Sequence, residues 1–183
     1  QKSGWLNGSG NIRVTPTQTE ALMLPWKYSI VFTDDDSAYV GIGRSGTVRD
    51  ENGTSIGTNK ITQPALNFYV QNTSFIDTTT GQYPLMDIVV HDENNNDIIE
   101  VGIDRFFVGA TVGTRWRATA FIIDFKLDSG ATYPQGDNTY LVDWERPFFV
   151  TDTVRFEVGE ETGLDLSIAK TDLDSIRVVP NPY

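Results

Sequence analysis

The strongest chemical pattern in this chain is Asp92-Glu93-Asn94-Asn95-Asn96-Asp97, followed by Glu100 and Asp104. Oxygen-bearing side chains at alternate positions suit Ca²⁺, which takes six to eight hard ligands. Asp92, Asn94 and Asn96 occupy the first, third and fifth positions of an EF-hand-like loop, and Asp97 stands where that loop needs glycine. The metal set read from this spacing is Asp92, Asn94, Asn96, Asp97 and Asp104, with Ca²⁺ as the cofactor it suits. The runs on either side are β-like, so the helices of an EF-hand are absent. The competing reading is a solvated turn between two strands, in which Asn residues accept left-handed backbone angles.

Other reactive groups form no catalytic set. Asp34-Asp35-Asp36 is a second acidic cluster, read as a solvated strand end with Ca²⁺ as the alternative. His91 is the only histidine and the chain has no cysteine. Serine, cysteine and zinc mechanisms normally need a histidine beside other placed groups, and Cys-based metal sites and disulfides are excluded outright. Glycosidases need two facing carboxylates. Asp143 with Glu145, or Glu157 with Glu160, can be nominated, but 25 acidic residues make such pairs unavoidable. No G-x-S-x-G, Walker or dinucleotide motif occurs. The sequence therefore reads as non-enzymatic. Of the four tryptophans, Trp26 and Trp116 lie in phase with apolar neighbours and read as core. Trp5 and Trp144 sit in more polar surroundings and are the candidates for stacking on a carbohydrate.

The formal net charge of −11 argues against nucleic-acid binding and disfavours anionic membrane surfaces. No stretch of about 18 apolar residues exists, so insertion of a transmembrane helix is not expected.

The elements that must position these groups are strands. Trp26, Tyr28, Ile30 and Phe32 alternate with Lys27, Ser29, Val31 and Thr33, and Trp116, Ala118, Ala120 and Ile122, like Val154, Phe156 and Val158, alternate in the same way. Each pattern predicts a strand with one buried face. Further strands are expected at 11–15, 38–43, 66–72, 85–91, 98–108, 139–143 and 176–179. Turn-forming pairs such as Asn52-Gly53 and Thr80-Gly81 separate them. Helix is expected only in brief turns, at 18–22 or 166–173. The Gly/Asn/Thr-rich segment 43–61 reads as a mobile loop or an insertion. About ten short strands with polar turns predict an all-β fold: an antiparallel β-sandwich, immunoglobulin-like or jelly-roll-like.

Residues 1–175 are expected to form the sandwich domain. Residues 176–183 read as a terminal strand and a Pro-rich connector, leading to a following domain or a neighbouring subunit. A start at Gln1 without Met reads as a processed or excised product.

The segment Leu173-Asp174-Ser175-Ile176-Arg177-Val178-Val179-Pro180-Asn181-Pro182-Tyr183 resembles the junction between extracellular modules and a type IX secretion-like C-terminal region. Such modules occur in large surface proteins of Bacteroidetes and related bacteria. Tyr28–Asp34, Asn67–Asn72 and Arg146–Asp152 fit the same loose pattern. A sorting region normally continues beyond this motif, and here nothing follows it. The resemblance implies a secreted β-sandwich without a catalytic centre, located outside the cell or on its surface. It also implies glycosylation of Ser or Thr after Asp, which nominates Ser37, Thr78, Thr153 and Ser175; such sites must be exposed.

These observations lead to a non-catalytic structural or adhesive module of a secreted surface protein, such as a self-assembling extracellular fibre subunit. Its expected partners are other copies of itself or neighbouring domains, joined through edge strands, with Gln1–Thr15 or Asp174–Tyr183 as donors. The alternative is a carbohydrate-binding module of a secreted hydrolase, with glycans as partners. A glycosidase domain is the third reading.

Overall fold

Apolar residues at every second position can bury one face of a strand, and in this protein two sets of such strands bury their faces against each other. The computed structural model describes residues 3–17, 27–42, 46–125 and 132–144. All of them lie in one unit, Gln1–Pro147. The domain border expected near residue 175, the terminal strand, the run at 154–158 and both helical turns lie outside the described residues, as does Trp26.

Among the described residues ten strands are formed: β1 (Gly4–Asn7), β2 (Arg13–Pro16), β3 (Lys27–Phe32), β4 (Tyr39–Val40), β5 (Ala65–Leu66), β6 (Phe68–Asn72), β7 (Asp87–His91), β8 (Arg105–Val112), β9 (Arg115–Asp124) and β10 (Thr139–Asp143). No helix occurs among the described residues. One four-stranded sheet has the order β1-β10-β3-β6, the other β2-β9-β8-β7, and β4 and β5 form a small ribbon. Every pairing is antiparallel. The protein is an all-β sandwich. Tyr28, Ile30, Phe32, Phe68, Val70 and Val142 from the first sheet meet Ile88, Val90, Phe106, Val108, Phe121 and Ile123 from the second in one core.

Several expectations are corrected here. The segment 43–61 is not simply a loop. Residues 46–61 fold over the outer face of the second sheet and make a second core, in which Val48 and Ile56 pack with Val89, Phe107, Trp116 and Ile122. A local turn holds it: the Asp50 carboxylate accepts the N–H groups of Asn52 (2.9 Å) and Thr54 (2.7 Å), and Arg49 bridges to Ser55. Consequently β9 is buried on both faces from Ala118 to Asp124, where its alternation predicts one.

The predicted strand 98–108 begins only at Arg105. Asp104 captures the N–H groups of Glu93 (3.1 Å) and Glu100 (2.7 Å), while the N–H groups of Ile103 and Asp104 turn back to the Glu100 carbonyl. Local hydrogen bonds of this kind compete directly with a sheet ladder. The strand expected at 66–72 is likewise divided at Asn67, its first part pairing with β4 and its second with β3.

The two ends of the sheet order differ in their edges. Outside β6 run residues 84–86, through Asn72 N–H to Pro84 O (2.9 Å) and Met86 N–H to Val70 O (2.8 Å). Outside β7 run Ile42 and residues 59–61, through Ile42 N–H to Ile88 O (2.8 Å) and Ile61 N–H to Val90 O (3.2 Å). The opposite edges are β1 and β2, linked directly by residues 8–12. Among the described residues, no strand pairs with the outer side of either.

Candidate functional site

The connection from β7 to β8 carries the Asp92–Asp104 pattern, and its backbone is organised by two buried carboxylates. Asp92 and Asp104 are 2% and 1% exposed. Asp92 Oδ1 accepts the Asn96 N–H (3.2 Å) and its Oδ2 accepts that of Asp97 (2.7 Å). Asn96 Oδ1 accepts the Ile98 N–H (2.9 Å), and Glu100 Oε2 accepts from the amide groups of both Asn94 and Asn96. Asn95 and Asp97 adopt positive φ, 57° and 60°. Asp97 thus takes by its own conformation the left-handed angle for which an EF-hand uses glycine.

Of the five residues proposed as a metal set, Asp92 and Asp104 face inward, while Asn94, Asn96 and Asp97 are exposed. Among the described residues, no three acidic or histidine side chains gather as a metal-holding group. Each oxygen of Asp92 and Asp104 already accepts a backbone N–H, so the loop closes on its own hydrogen bonds.

Burial pushes the Asp92 carboxyl up, but the N–H donors of Asp97, Asn96, Asn95 and Asn94 outweigh it and hold the group below its ordinary 3.8. A carboxylate with a folded-state pKa below its unfolded value stabilises the fold above the unfolded value, and loses that contribution as pH falls through the folded one. Wild type should therefore be more stable than Asp92→Asn at neutral pH. The gap between their urea midpoints should shrink as the pH is lowered through 3.8 and below. A gap that does not change with pH would show that the Asp92 charge does not hold this loop.

The remaining candidates are scattered. Trp5 and Trp144 are both partly buried and packed on the sandwich core. Trp5 lies 5.2 Å edge-on from Tyr140 and 6.0 Å from Phe32, and its indole N–H donates to Gly10 O (3.3 Å). Trp144 packs on Phe121 (5.2 Å) and Tyr28 (6.1 Å), and its buried indole nitrogen has no hydrogen-bond partner among the described residues. Among the described residues the exposed aromatic rings are instead Phe75 and Tyr83, on the connection from β6 to β7, beside exposed Ile76 and Leu85. No periodicity marks them, because they lie in a turn-rich segment.

His91 is mostly buried against Phe107; its Nδ1 lies 3.1 Å from Glu93 Oε1, without the alignment of a hydrogen bond. Asp143 pairs loosely with Lys27 (3.9 Å). Ser37 and Thr78 are exposed, as modification requires; Thr153 and Ser175, like Glu145, Glu157 and Glu160, lie outside the described residues.

Two cavities border the Asp92–Asp104 loop. One, of about 210 Å³, is lined by Arg13, Glu93, Asp104, Arg105 and Asp124 among others. Its charges are mutually engaged: Arg13 and Arg105 both hold Asp124, and Arg105 also reaches Glu51 (2.7 Å). The other, of about 280 Å³, lies between Asp36, the start of β6, Ile99, Val101 and Tyr133. Sequence reasoning did not join these residues, which come from four separate stretches of chain.

No family model, no curated protein and no solved structure matches this chain. The functional reading therefore rests on the molecule itself.

Proposed function

We propose that this domain is a non-catalytic building or adhesive module of an extracellular surface protein, joined to its neighbours by strand addition at β1. The observation that carries this reading is the asymmetry of the sheet edges. β6 and β7 are covered by the chain's own segments, whereas the outer side of β1 has no partner among the described residues and exposes Leu6 (67%). An uncovered edge offers unpaired N–H and C=O groups to an incoming strand. β2 is the poorer acceptor, because Pro16 removes one donor from its ladder.

Gly4–Asn7 and Arg13–Pro16 are built into the chain's own sheets. In this reading the N-terminal segment is the acceptor edge, and the donor is the strand-like Asp174–Tyr183 of a second copy. The absence of a convergent catalytic group among the described residues is compatible with this role and does not exclude others. A glycan-binding role would rest on Phe75 and Tyr83, the exposed rings, in place of Trp5 and Trp144.

The test is electron microscopy and light scattering of the protein, of Leu6→Lys and of a variant lacking 174–183. Polymers from wild type that are lost in both variants, with circular dichroism unchanged, are expected. A wild type that stays monomeric at high concentration, or polymers that persist in both variants, would overturn the reading.

A further inference from the structure

We propose that the cavity between Asp36 and Tyr133 binds a small primary amine carrying a compact aromatic or branched aliphatic group. The argument begins with size and lining. A buried apolar space of roughly 150 Å³ takes benzene, and this cleft, open to solvent on one side, measures about 280 Å³. That leaves room for a ring and a short chain ending in an ammonium. Its floor is the side chains of Leu66, Phe68 and Phe106, all at most 4% exposed, and one wall is Val101.

The walls are held in place. Asn67 is tied to Thr33 by the Thr33 N–H (2.8 Å) and hydroxyl (3.2 Å), which both donate to its carbonyl. Val101 belongs to the loop whose backbone Asp92 and Asp104 organise. The Tyr133 ring stacks edge-on against Phe125 (5.1 Å) and Phe32 (6.0 Å). A pocket already formed saves the ordering cost of building one.

The polar groups decide the ligand's charge. Asp36 lines the cavity, and among the described residues no Lys, Arg or His forms an ion pair with it. Asp36 is exposed at the cavity rim, so its carboxylate stays hydrated and a neutral apolar ligand gains no attraction from it. An anion would meet repulsion from Asp36 and its neighbours Asp34 and Asp35. An ammonium supplies both the charge and the N–H donors. The Tyr133 hydroxyl donates to Asn67 Oδ1 (2.7 Å), so its oxygen keeps its lone pairs as acceptors for the same group. Burial, reinforced by the charge of Asp36, pushes the Tyr133 phenol up to about 12. The phenol is therefore neutral at physiological pH.

The experiment titrates phenethylamine into ¹⁵N-labelled protein and compares it with 2-phenylethanol, its neutral isostere, and with methylammonium, which lacks the ring. Phenethylamine is expected to give saturable shifts at Phe68, Val101 and Tyr133, with the alcohol weaker by about tenfold and methylammonium without effect. Asp36→Asn should erase the difference between amine and alcohol. Val101→Trp, which fills the cavity from its half-buried rim, should abolish binding while the remaining spectrum is retained. Equal affinity for amine and alcohol in wild type, binding that survives Val101→Trp, or no saturable binding of phenethylamine would each overturn the proposal.

Discussion

Phe32→Ala is expected to lower the unfolding free energy by about 3–5 kcal/mol, the cost of deleting a large aromatic group from a core that cannot collapse around the gap. Phe32 is 1% exposed at the end of β3. Its ring lies 5.5 Å from Phe68, 5.9 Å from Phe125, 6.0 Å from Tyr133 and 6.0 Å from Trp5. These neighbours come from β6, from the residue just after β9, from the edge strand β1 and from the segment before β10. No single one can move into the space without leaving another contact. Since a domain of this size is stable by only about 5–15 kcal/mol, the variant would lie close to the folding threshold. Urea denaturation followed by tryptophan fluorescence measures the loss. Leu6→Ala, at an exposed site on β1, should fall within about 0.5 kcal/mol of wild type. A Phe32→Ala loss of less than about 1 kcal/mol would mean that the aromatic cluster does not hold the two sheets together.

Asp124→Ala is expected to cost about 3 kcal/mol, because it strands a largely buried guanidinium. Asp124 ends β9 opposite Arg13 on one side and Arg105 on the other, and is 5% exposed. Its Oδ2 accepts from Arg13 Nε (3.1 Å) and Nη2 (2.8 Å), and its Oδ1 from Arg105 Nε (3.0 Å). Burial works against the Arg105 charge, and Glu51 and Asp124 more than offset it. With Asp124 gone, only Glu51 remains to Arg105. The other arm matters less: the Arg13 side chain is 54% exposed, so Arg13→Ala should cost under about 1 kcal/mol and depend on salt. Adding Arg105→Met to Asp124→Ala should recover part of the loss, since the unpaired charge is then removed as well. A double variant less stable than the sum of the two single changes would show that the charges are not what couples these positions.

The network also ties the two cores together. Glu51 sits in the segment 46–61 that covers the outer face of the second sheet, and its ion pair to Arg105 fastens that segment beside Val48 and Ile56. The Arg105 guanidinium lies 5.7 Å over the Phe107 ring of the second core. A change at Asp124 is therefore felt in both the strand ladder and the cover.

Local pattern alone was enough for much of this molecule. The alternation of Tyr28, Ile30 and Phe32 specifies both a strand and its inward face, because side chains on a pleated backbone point to opposite sides in turn. The strand at 139–143 has the bounds its β-rich composition predicts, and the turn residues around Asn52-Gly53 and Thr80-Gly81 mark reversals of the chain. From such repeats the all-β sandwich class follows directly. Which outer faces and edges are covered is a different kind of information. Val48 and Ile56 show no period, since they are isolated apolar residues flanking a turn, and only the approach of Phe107, Trp116 and Ile122 makes them core. Asp104 reads as a metal ligand by spacing, yet in the fold its oxygens serve backbone N–H groups on a loop that would otherwise have continued as a strand. Trp5 and Trp144 have polar neighbours along the chain and aromatic neighbours in space. The amine cavity draws Asp36, Phe68, Val101 and Tyr133 from separate stretches. Periodicity records what each strand hides, whereas contacts between residues far apart in the chain are made only when the sheets stack and the connections close over them.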